Sequence, residues 1–144
     1  MTPVCLSCIS KKDLISVIIM DKGELAKRSV EIIRDESIAT STYQSIIYAF
    51  KKGFSLLKLY IEDHPEVDSV VFECNNSAFI NWVNQGYPRE EYLDEFIEMM
   101  GILDNIPIRY SFAYTKKPKA TMFAEKKYIV REKFSGLDID GIEE

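Results

Sequence analysis

The sequence predicts one α/β domain with five strands, and three observations favour this fold class. Residues 4–33 hold three short apolar runs separated by turn residues, which is typical of an antiparallel meander. From Ser41 the apolar residues recur every three or four positions, as they do on one face of a long helix. Beyond that helix, two further apolar runs alternate with helical segments. A length of 144 residues and a hydrophobic content of 47% suit a single core.

The first half of the chain is predicted from turn and cap residues. The three strands are predicted at Val4–Ile9, Leu14–Met20 and Leu25–Ile33. Gly23, between the second and third strands, occupies a turn position that needs a positive φ. The long helix follows a Thr40-Ser41-Thr42 cluster able to cap it. It ends near Asp63-His64-Pro65, because proline disfavours helical geometry in the residue before it.

The second half alternates strands and helices. Its predicted elements are a strand at Val70–Cys74, a helix ending at Asn84, a helix opened by Pro88, a strand at Ile106–Tyr114 and a helix at Ala120–Phe134. Asn75-Asn76-Ser77 can cap the first of these helices. We expect a domain at residues 1–135 and an acidic tail at residues 136–144.

Charge is unevenly distributed along the chain. The formal net charge is -5, and four acids lie in the last seven residues, which leaves about -1 for the rest. Those acids are Asp138, Asp140, Glu143 and Glu144. The distribution of charge on the folded body therefore matters more than the total.

Membrane insertion, secretion and metal binding are not indicated. No apolar run is long enough to span a membrane, and the N-terminus lacks the pattern of a secretory signal, so we expect a cytoplasmic protein. Cys5, Cys8 and Cys74 lie in predicted strands, where a reduced thiol packs as a small hydrophobe. The Cys5–Cys8 spacing matches half of a zinc or redox site, but no second pair exists. We expect no cofactor.

The order of elements resembles that of the ribonuclease H fold over residues 3–134. The most specific local match is residues 72–83, which resembles the fourth strand of that family and its following helix, where an aspartate-serine pair precedes an apolar helix containing asparagine-tryptophan. Ser41-Thr42-Tyr43-Gln44 resembles the start of the family's first helix, and Phe123-Ala124-Glu125 resembles its final alanine-aspartate step. The resemblance implies a mixed sheet in the order 3-2-1-4-5 with helices on both faces.

Active members of that family use four carboxylates to hold two divalent metal ions. The resemblance places these positions at Ser7 (or Ser10) in the first strand, at Gln44, at Asn75 and at Glu125, so that one carboxylate remains. Amide oxygens bring no charge, and one carboxylate should hold Mg²⁺ or Mn²⁺ far more weakly than four. We therefore expect a pseudoenzyme. Gln44 and Asn75 are equally compatible with plain helix-start and capping roles.

The same fold would bring basic loops to the former metal-binding edge, where the parallel strands end. Those loops carry Lys11, Lys12, Arg34, Lys116, Lys117 and Lys119. Together with Asn75, Gln44 and the helix start at Asn76-Ser77, they predict an anion site, and nucleic acid is the expected partner. A merely solvated basic rim is an equal alternative.

The sequence leaves two other functions open. A divergent nuclease would use Glu73 and Glu125 to hold one Mg²⁺ or Mn²⁺ ion, since Glu73 lies on the same strand face as Asn75. A protein-interaction module would use the apolar helix that carries Tyr92, Phe96, Met99 and Met100, although such a stripe ordinarily faces its own sheet. Tyr110, Phe112 and Tyr114 share one strand face; stacking on bases is one role for them, and core packing is the stronger expectation.

Overall fold

The computed structural model describes residues 3–129, in which a five-stranded sheet carries helices on its faces. The strands are β1 (Val4–Lys11), β2 (Leu14–Asp21), β3 (Glu24–Ile32), β4 (Ser69–Cys74) and β5 (Arg109–Tyr114). Their order in the sheet is β3-β2-β1-β4-β5. β2 is antiparallel to β1 and β3, whereas β1, β4 and β5 run parallel. The predicted mixed sheet and its strand order are confirmed.

Two tight hairpins join the first three strands. Lys11 pairs with Leu14, so that only two residues form the first turn, and Lys12 has a φ of 57°. In the second turn Lys22 and Gly23 have φ angles of 55° and 80°, as a type I′ turn requires. The predicted role of Gly23 is confirmed.

The helices are α1 (Glu36–Ala39), α2 (Thr42–Asp63), α3 (Ser77–Gln85) and α4 (Leu93–Asp104). Short 3-10 helices occur at Glu90–Tyr92, Lys119–Phe123 and Lys126–Tyr128. The side chain of Ser41 accepts a hydrogen bond from the Gln44 amide and caps α2. Asn76 caps α3 by accepting from the Phe79 amide at 2.9 Å, so this is the residue of the Asn75-Asn76-Ser77 group that acts as the cap. The four-residue α1 was not predicted.

The sheet has a large core on one face and a small one on the other. Leu6, Phe50 and Phe72 are fully buried in the large core, which lies under α2, α3 and α4. The small core contains Ile9, Ile18 and Ala120 and lies under the 3-10 helices near the chain end. Side chains alternate along β1, so Leu6 faces the large core and Ile9 the small one.

The prediction of a final α-helix at Ala120–Phe134 is wrong over its described part. Residues 119–128 form two 3-10 helices, and Glu125 between them is extended, with φ -140° and ψ 151°. The backbone of Ala120 bonds to side chains of the sheet, so these groups are not available to a helical ladder. Residues 130–134 and the predicted tail at 136–144 lie outside the described residues.

Two smaller corrections concern the second half. The helix predicted to open at Pro88 begins as a 3-10 helix at Glu90 and becomes α-helical only at Leu93. The aromatic strand was expected to pack in the core, but β5 is the last strand of the sheet. Phe112 is partly buried against the large core, and the Tyr110 ring contacts Phe72 at the margin of that core. Tyr110 and Tyr114 are 44% and 49% exposed. Between residues 3 and 129, no helix combines the length and apolar character needed to cross a membrane.

Candidate nucleic-acid interface

Six basic residues lie at or just after the ends of strands at one end of the sheet, which we call the basic edge. β1, β4 and β5 are parallel and β3 has the same direction as β1, so all four strands end there. The basic edge consists of Lys11, Lys12, Arg34, Lys116, Lys117 and Lys119, and all six are exposed. With strands about 4.8 Å apart, it extends over four spacings, or roughly 19 Å.

The loops after β1 and β3 are held together by the backbone. The Ile33 amide donates to the Asp13 carbonyl at 2.6 Å, which places Arg34 beside the first hairpin turn. Acids are interspersed there, including Asp35, which caps α1. Hydrogen bonds from the Ser37 hydroxyl and amide lower the pKa of the Asp35 carboxyl, so it stays ionised.

Five of the six cations have no acidic partner in the part of the chain that the structure describes, since ion pairs there involve Lys119 alone of this set. The Lys119 Nζ lies 3.5 Å from an oxygen of Glu73. The other five remain available to an external anion.

The four positions that the resemblance assigns to carboxylates have different surroundings. Ser7 is fully buried, and its hydroxyl accepts a hydrogen bond from the Ala120 amide at 2.9 Å. Gln44 lines a cavity of about 170 Å³ between α1, α2 and α4. Asn75 is exposed, and Glu125 is exposed with its carboxylate 3.4 Å from Lys127 Nζ. Ser7 and Glu125 thus bond to different segments, Ala120 and Lys127, while Gln44 lines a cavity among the helices.

A serine pair connects β1 to α2 instead. The Ser45 hydroxyl donates to Ser10 at 3.0 Å, and Ser45 is 2% exposed. Ser10 was one of the two residues predicted at the carboxylate position of the first strand. The contact of Ser45, one residue after Gln44, was not predicted. The available signal was the small-residue series Ser45, Ala49 and Gly53, whose four-residue spacing predicts the face of α2 that lies closest to the sheet.

Glu73 belongs to a second polar group, on the opposite face of the sheet. One Glu73 oxygen accepts from the Lys119 amide at 2.6 Å, while the other faces the Lys119 Nζ. Its neighbour across the parallel β1–β4 ladder is Ser7, which binds the Ala120 amide. The Ser16 hydroxyl of β2 donates to the Ala120 carbonyl at 2.7 Å. We call Ser7, Ser16 and Glu73 the anchor of the 119–120 segment; the role of Ser16 was not predicted.

The three cysteines have free thiols. Burial, with a smaller contribution from Glu73, raises the pKa of Cys5 to about 11. Burial also raises the pKa of Cys74 to about 11 and that of Cys8 well above its ordinary value. The thiolates that bind metals or attack electrophiles are therefore disfavoured at neutral pH.

Glu73 and Glu125, the residues of the nuclease alternative, each have a lysine partner, Lys119 and Lys127 respectively. Within residues 3–129, no three His, Cys, Asp or Glu side chains are grouped so that they could hold a metal ion.

The apolar helix of the interaction alternative presents different residues from those expected. Phe96 and Met99 are buried, while Tyr92 and Met100 are partly buried against the large core. Leu93 and Ile97, one turn apart on α4, are 40% and 59% exposed.

Comparison with solved structures identifies the architecture. Ribonuclease H1 LC11, isolated from compost and solved with an RNA/DNA hybrid, is 15% identical with a TM-score of 0.64, covering 79% of this chain and 86% of its own. Ribonuclease H1 of Halobacterium salinarum is 10% identical with a TM-score of 0.64, covering 88% of this chain and 94% of its own. This chain has the ribonuclease H fold.

Two further solved structures also match. The N-terminal ribonuclease H domain of a Mycobacterium tuberculosis protein, solved as a maltose-binding-protein fusion, is 7% identical with a TM-score of 0.64, covering 95% of this chain and 100% of its own. The foamy viral protease-reverse transcriptase, solved with double-stranded DNA, is 14% identical with a TM-score of 0.56, covering 81% of this chain and 20% of its own. No protein-family model and no curated protein matches this sequence. At these identities the likeness shows the fold alone.

Proposed function

We propose that this ribonuclease H-fold domain binds nucleic acid, or another polyanion, along the basic edge and does not cleave it. The observation that carries the proposal is the contrast between Glu73, which is paired, and the unpaired lysines of the basic edge. Glu73 is engaged by the Lys119 amide and Nζ. Lys11, Lys12, Lys116 and Lys117 are exposed and, among the described residues, unpaired.

We infer the absence of cleavage from the polar side chains near the ends of β1 and β4, whose oxygen atoms would have to bind a metal ion. The polar pair joining β1 to α2 is Ser10 and Ser45, and Asn75 follows β4. Hydroxyl and amide oxygens carry no negative charge to compete with the hydration shell of Mg²⁺. These groups can still bind a phosphate oxygen, because hydroxyls and amides donate hydrogen bonds.

Nucleic acid is the preferred polyanion for two reasons. An edge of roughly 19 Å with cations on three loops matches a repeating line of phosphates better than one small anion. Tyr114 is half-exposed at the end of β5, just before Lys116 and Lys117, where its ring could stack on a base. Two of the similar structures were solved with an RNA/DNA hybrid and with double-stranded DNA.

The test is a binding titration of fluorescently labelled RNA, DNA and RNA/DNA hybrid at several salt concentrations. We expect log Kd to rise with log salt. The Lys116→Ala, Lys117→Ala double variant should reduce that slope by about 0.9 for each duplex phosphate that it no longer neutralises. The matched control is Lys27→Ala with Lys58→Ala, which removes two exposed lysines away from the basic edge and should leave the slope unchanged.

Two results would contradict the proposal. One is cleavage of any labelled substrate in Mg²⁺ or Mn²⁺ that is abolished by Glu73→Ala and Glu125→Ala, which would favour the nuclease. The other is the absence of binding at low salt. The protein-interaction function would then be preferred, with exposed Leu93 and Ile97 as its first candidate contacts.

A cytoplasmic location is part of the same proposal. It is supported by the three free cysteines, whose reduced state is usual in that compartment.

A further inference from the structure

The anchor combines three buried polar side chains from three adjacent strands. Ser16 on β2 and Ser7 on β1 are fully buried, and Glu73 on β4 is 8% exposed. All three lie on the face of the small core, where Ala120 is also fully buried. Burying an uncompensated polar group is costly, so three together require partners.

Their described partners are backbone groups of two consecutive residues. Glu73 accepts from the Lys119 amide, Ser7 accepts from the Ala120 amide and Ser16 donates to the Ala120 carbonyl. The three distances are 2.6, 2.9 and 2.7 Å. The anchor therefore fixes the position of this backbone segment on the sheet.

The segment from Thr115 to Lys119 is an arch held at both ends by β4. The Thr115 amide donates to the Cys74 carbonyl at 3.0 Å. The Lys119 amide donates to the side chain of Glu73, the residue before Cys74. Pro118 is buried with φ -60°, which restricts the arch further. Lys116 and Lys117 occupy the exposed part of the arch.

We propose that the anchor holds this arch in the conformation that binds the polyanion, so that Glu73, although an acid, strengthens anion binding. Glu73, Ser7 and Ser16 are thus positioning residues for Lys116 and Lys117. The inference rests on the proposed function, because it describes how two of the binding lysines are held.

Two opposing effects of Glu73 have to be compared. Its negative charge repels a polyanion, but Lys119 Nζ lies 3.5 Å away and offsets that charge. Its hydrogen bond keeps the arch closed, so Lys116 and Lys117 lose less conformational freedom when they bind. Immobilising a flexible side chain on binding costs free energy, and an arch that is already ordered avoids part of that cost. Because Lys119 offsets the charge of Glu73, we expect positioning to outweigh repulsion.

The direct test measures binding of labelled polyanion, here a short DNA oligonucleotide, to the full chain with substitutions in the anchor. Glu73→Ala should raise Kd about five- to tenfold, while Glu73→Gln, which keeps an acceptor for the Lys119 amide, should recover most of the affinity. Ser16→Ala changes no charge and should weaken binding in the same direction. Asp21→Ala is the matched control, since it removes another acid that accepts a side-chain hydrogen bond, from Tyr60 at the opposite end of the sheet; it should not weaken binding.

The inference is overturned if Glu73→Ala binds DNA as tightly as the unmodified chain or more tightly, because charge would then dominate. It is also overturned if Ser16→Ala has no effect. Ser16→Ala serves as the second variant should Glu73→Ala not fold, which circular dichroism would reveal.

A second readout needs no nucleic acid. Limited trypsin digestion should cut the Lys116–Lys117 and Lys119–Ala120 bonds several-fold faster in Ser16→Ala and Glu73→Ala than in the unmodified chain or Asp21→Ala. Faster cutting without any DNA binding by the unmodified chain would refute the proposed function but retain the anchor. DNA binding with unchanged cutting rates would refute the anchor alone.

Discussion

At the scale of single residues, each buried polar side chain in the described chain has a specific partner. Ser7 and Ser16 bind the Ala120 backbone, Ser45 binds Ser10, and Glu73 binds the Lys119 amide. Such matching is expected, because an unpaired buried polar group costs about 1–3 kcal/mol. These residues therefore determine which segments can lie against the sheet.

Tyr60 provides a pH-dependent contribution to stability. Its ring is buried and stacks on His64, and its hydroxyl donates to Asp21. Burial, followed by the Asp21 bond and charge, raises the pKa of Tyr60 to about 12, whereas a tyrosine in an unfolded chain has a pKa of about 10. The folded state holds this proton more tightly, so the contribution is complete below pH 10 and is lost as the pH rises from 10 to 12.

We predict that Tyr60→Phe reduces the pH dependence of the free energy of unfolding above pH 10. Urea denaturation at a series of pH values between 7 and 12 provides the measurement, and the variant's curve should fall less steeply than that of the unmodified chain. Tyr114→Phe is the control, because that ring is half-exposed at the end of β5. Equal slopes for Tyr60→Phe and the unmodified chain would show that Tyr60 does not contribute.

At the scale of elements, the contact between α2 and β1 depends on small residues. Ser45, Ala49 and Gly53 follow one another at four-residue intervals and are all buried against the sheet. At Gly53 an added Cβ would lie 3.0 Å from Cys8 Sγ and 3.1 Å from Leu6 Cδ2, and both of those residues are fully buried. Neither neighbour has free space into which to move.

We predict that Gly53→Ala destabilises the protein by about 1 kcal/mol, although alanine is intrinsically better in a helix by about 1 kcal/mol. Gly101→Ala on α4 is the matched control, because no atom lies within 4 Å of its added Cβ. That variant should gain up to about 1 kcal/mol. The measurement is the free energy of unfolding in urea, and a gain in both variants would mean that β1 shifts to accommodate the methyl group.

At the scale of the whole molecule, positive charge is concentrated at one end of the sheet. The chain has a formal net charge of -5, yet six basic side chains are exposed at one end of the sheet. Between residues 3 and 129, the acidic and thiol side chains form no group of three that could hold a metal ion. Lysines can neutralise phosphates directly, without a bridging cation.

We predict that polyanion binding does not require a divalent metal. Kd measured in EDTA should be no higher than Kd measured in Mg²⁺ at equal ionic strength, because lysines neutralise phosphates without a bridging cation, whereas Mg²⁺ competes with them for the phosphates. Fluorescence polarisation with the same labelled DNA provides the comparison. Tighter binding in Mg²⁺ at matched ionic strength would instead indicate a metal bridge between the chain and the phosphates.

Local signals in the sequence account for most of the fold. Gly23 predicted the second hairpin, Ser41 is a typical cap residue, and Pro65 placed the end of α2 within a few residues. Each of these depends on the backbone preferences of neighbouring residues, which act without any distant contact. The strand order followed from the order of elements and the family resemblance together.

The candidate site was only partly predictable. The six residues of the basic edge could be predicted because they follow predicted strands, and all six are exposed. Whether they bind an anion remains a prediction. The position of Gln44 at the cavity between α1, α2 and α4, and the pairing of Ser45 with Ser10, depend on how α2 is rotated on the sheet.

What the sequence by itself determined is the type and order of the five strands and of the three longer helices, since periodicity, caps and turns act between residues close along the chain. Only the tertiary structure decided that Ala120 lies in a 3-10 helix bound to the sheet and that Glu73 anchors a basic loop. The Glu73–Lys119 and Ser7–Ala120 bonds join residues 46 and 113 positions apart. Contacts over such separations are set by how the strands and loops pack, and no local propensity carries that information.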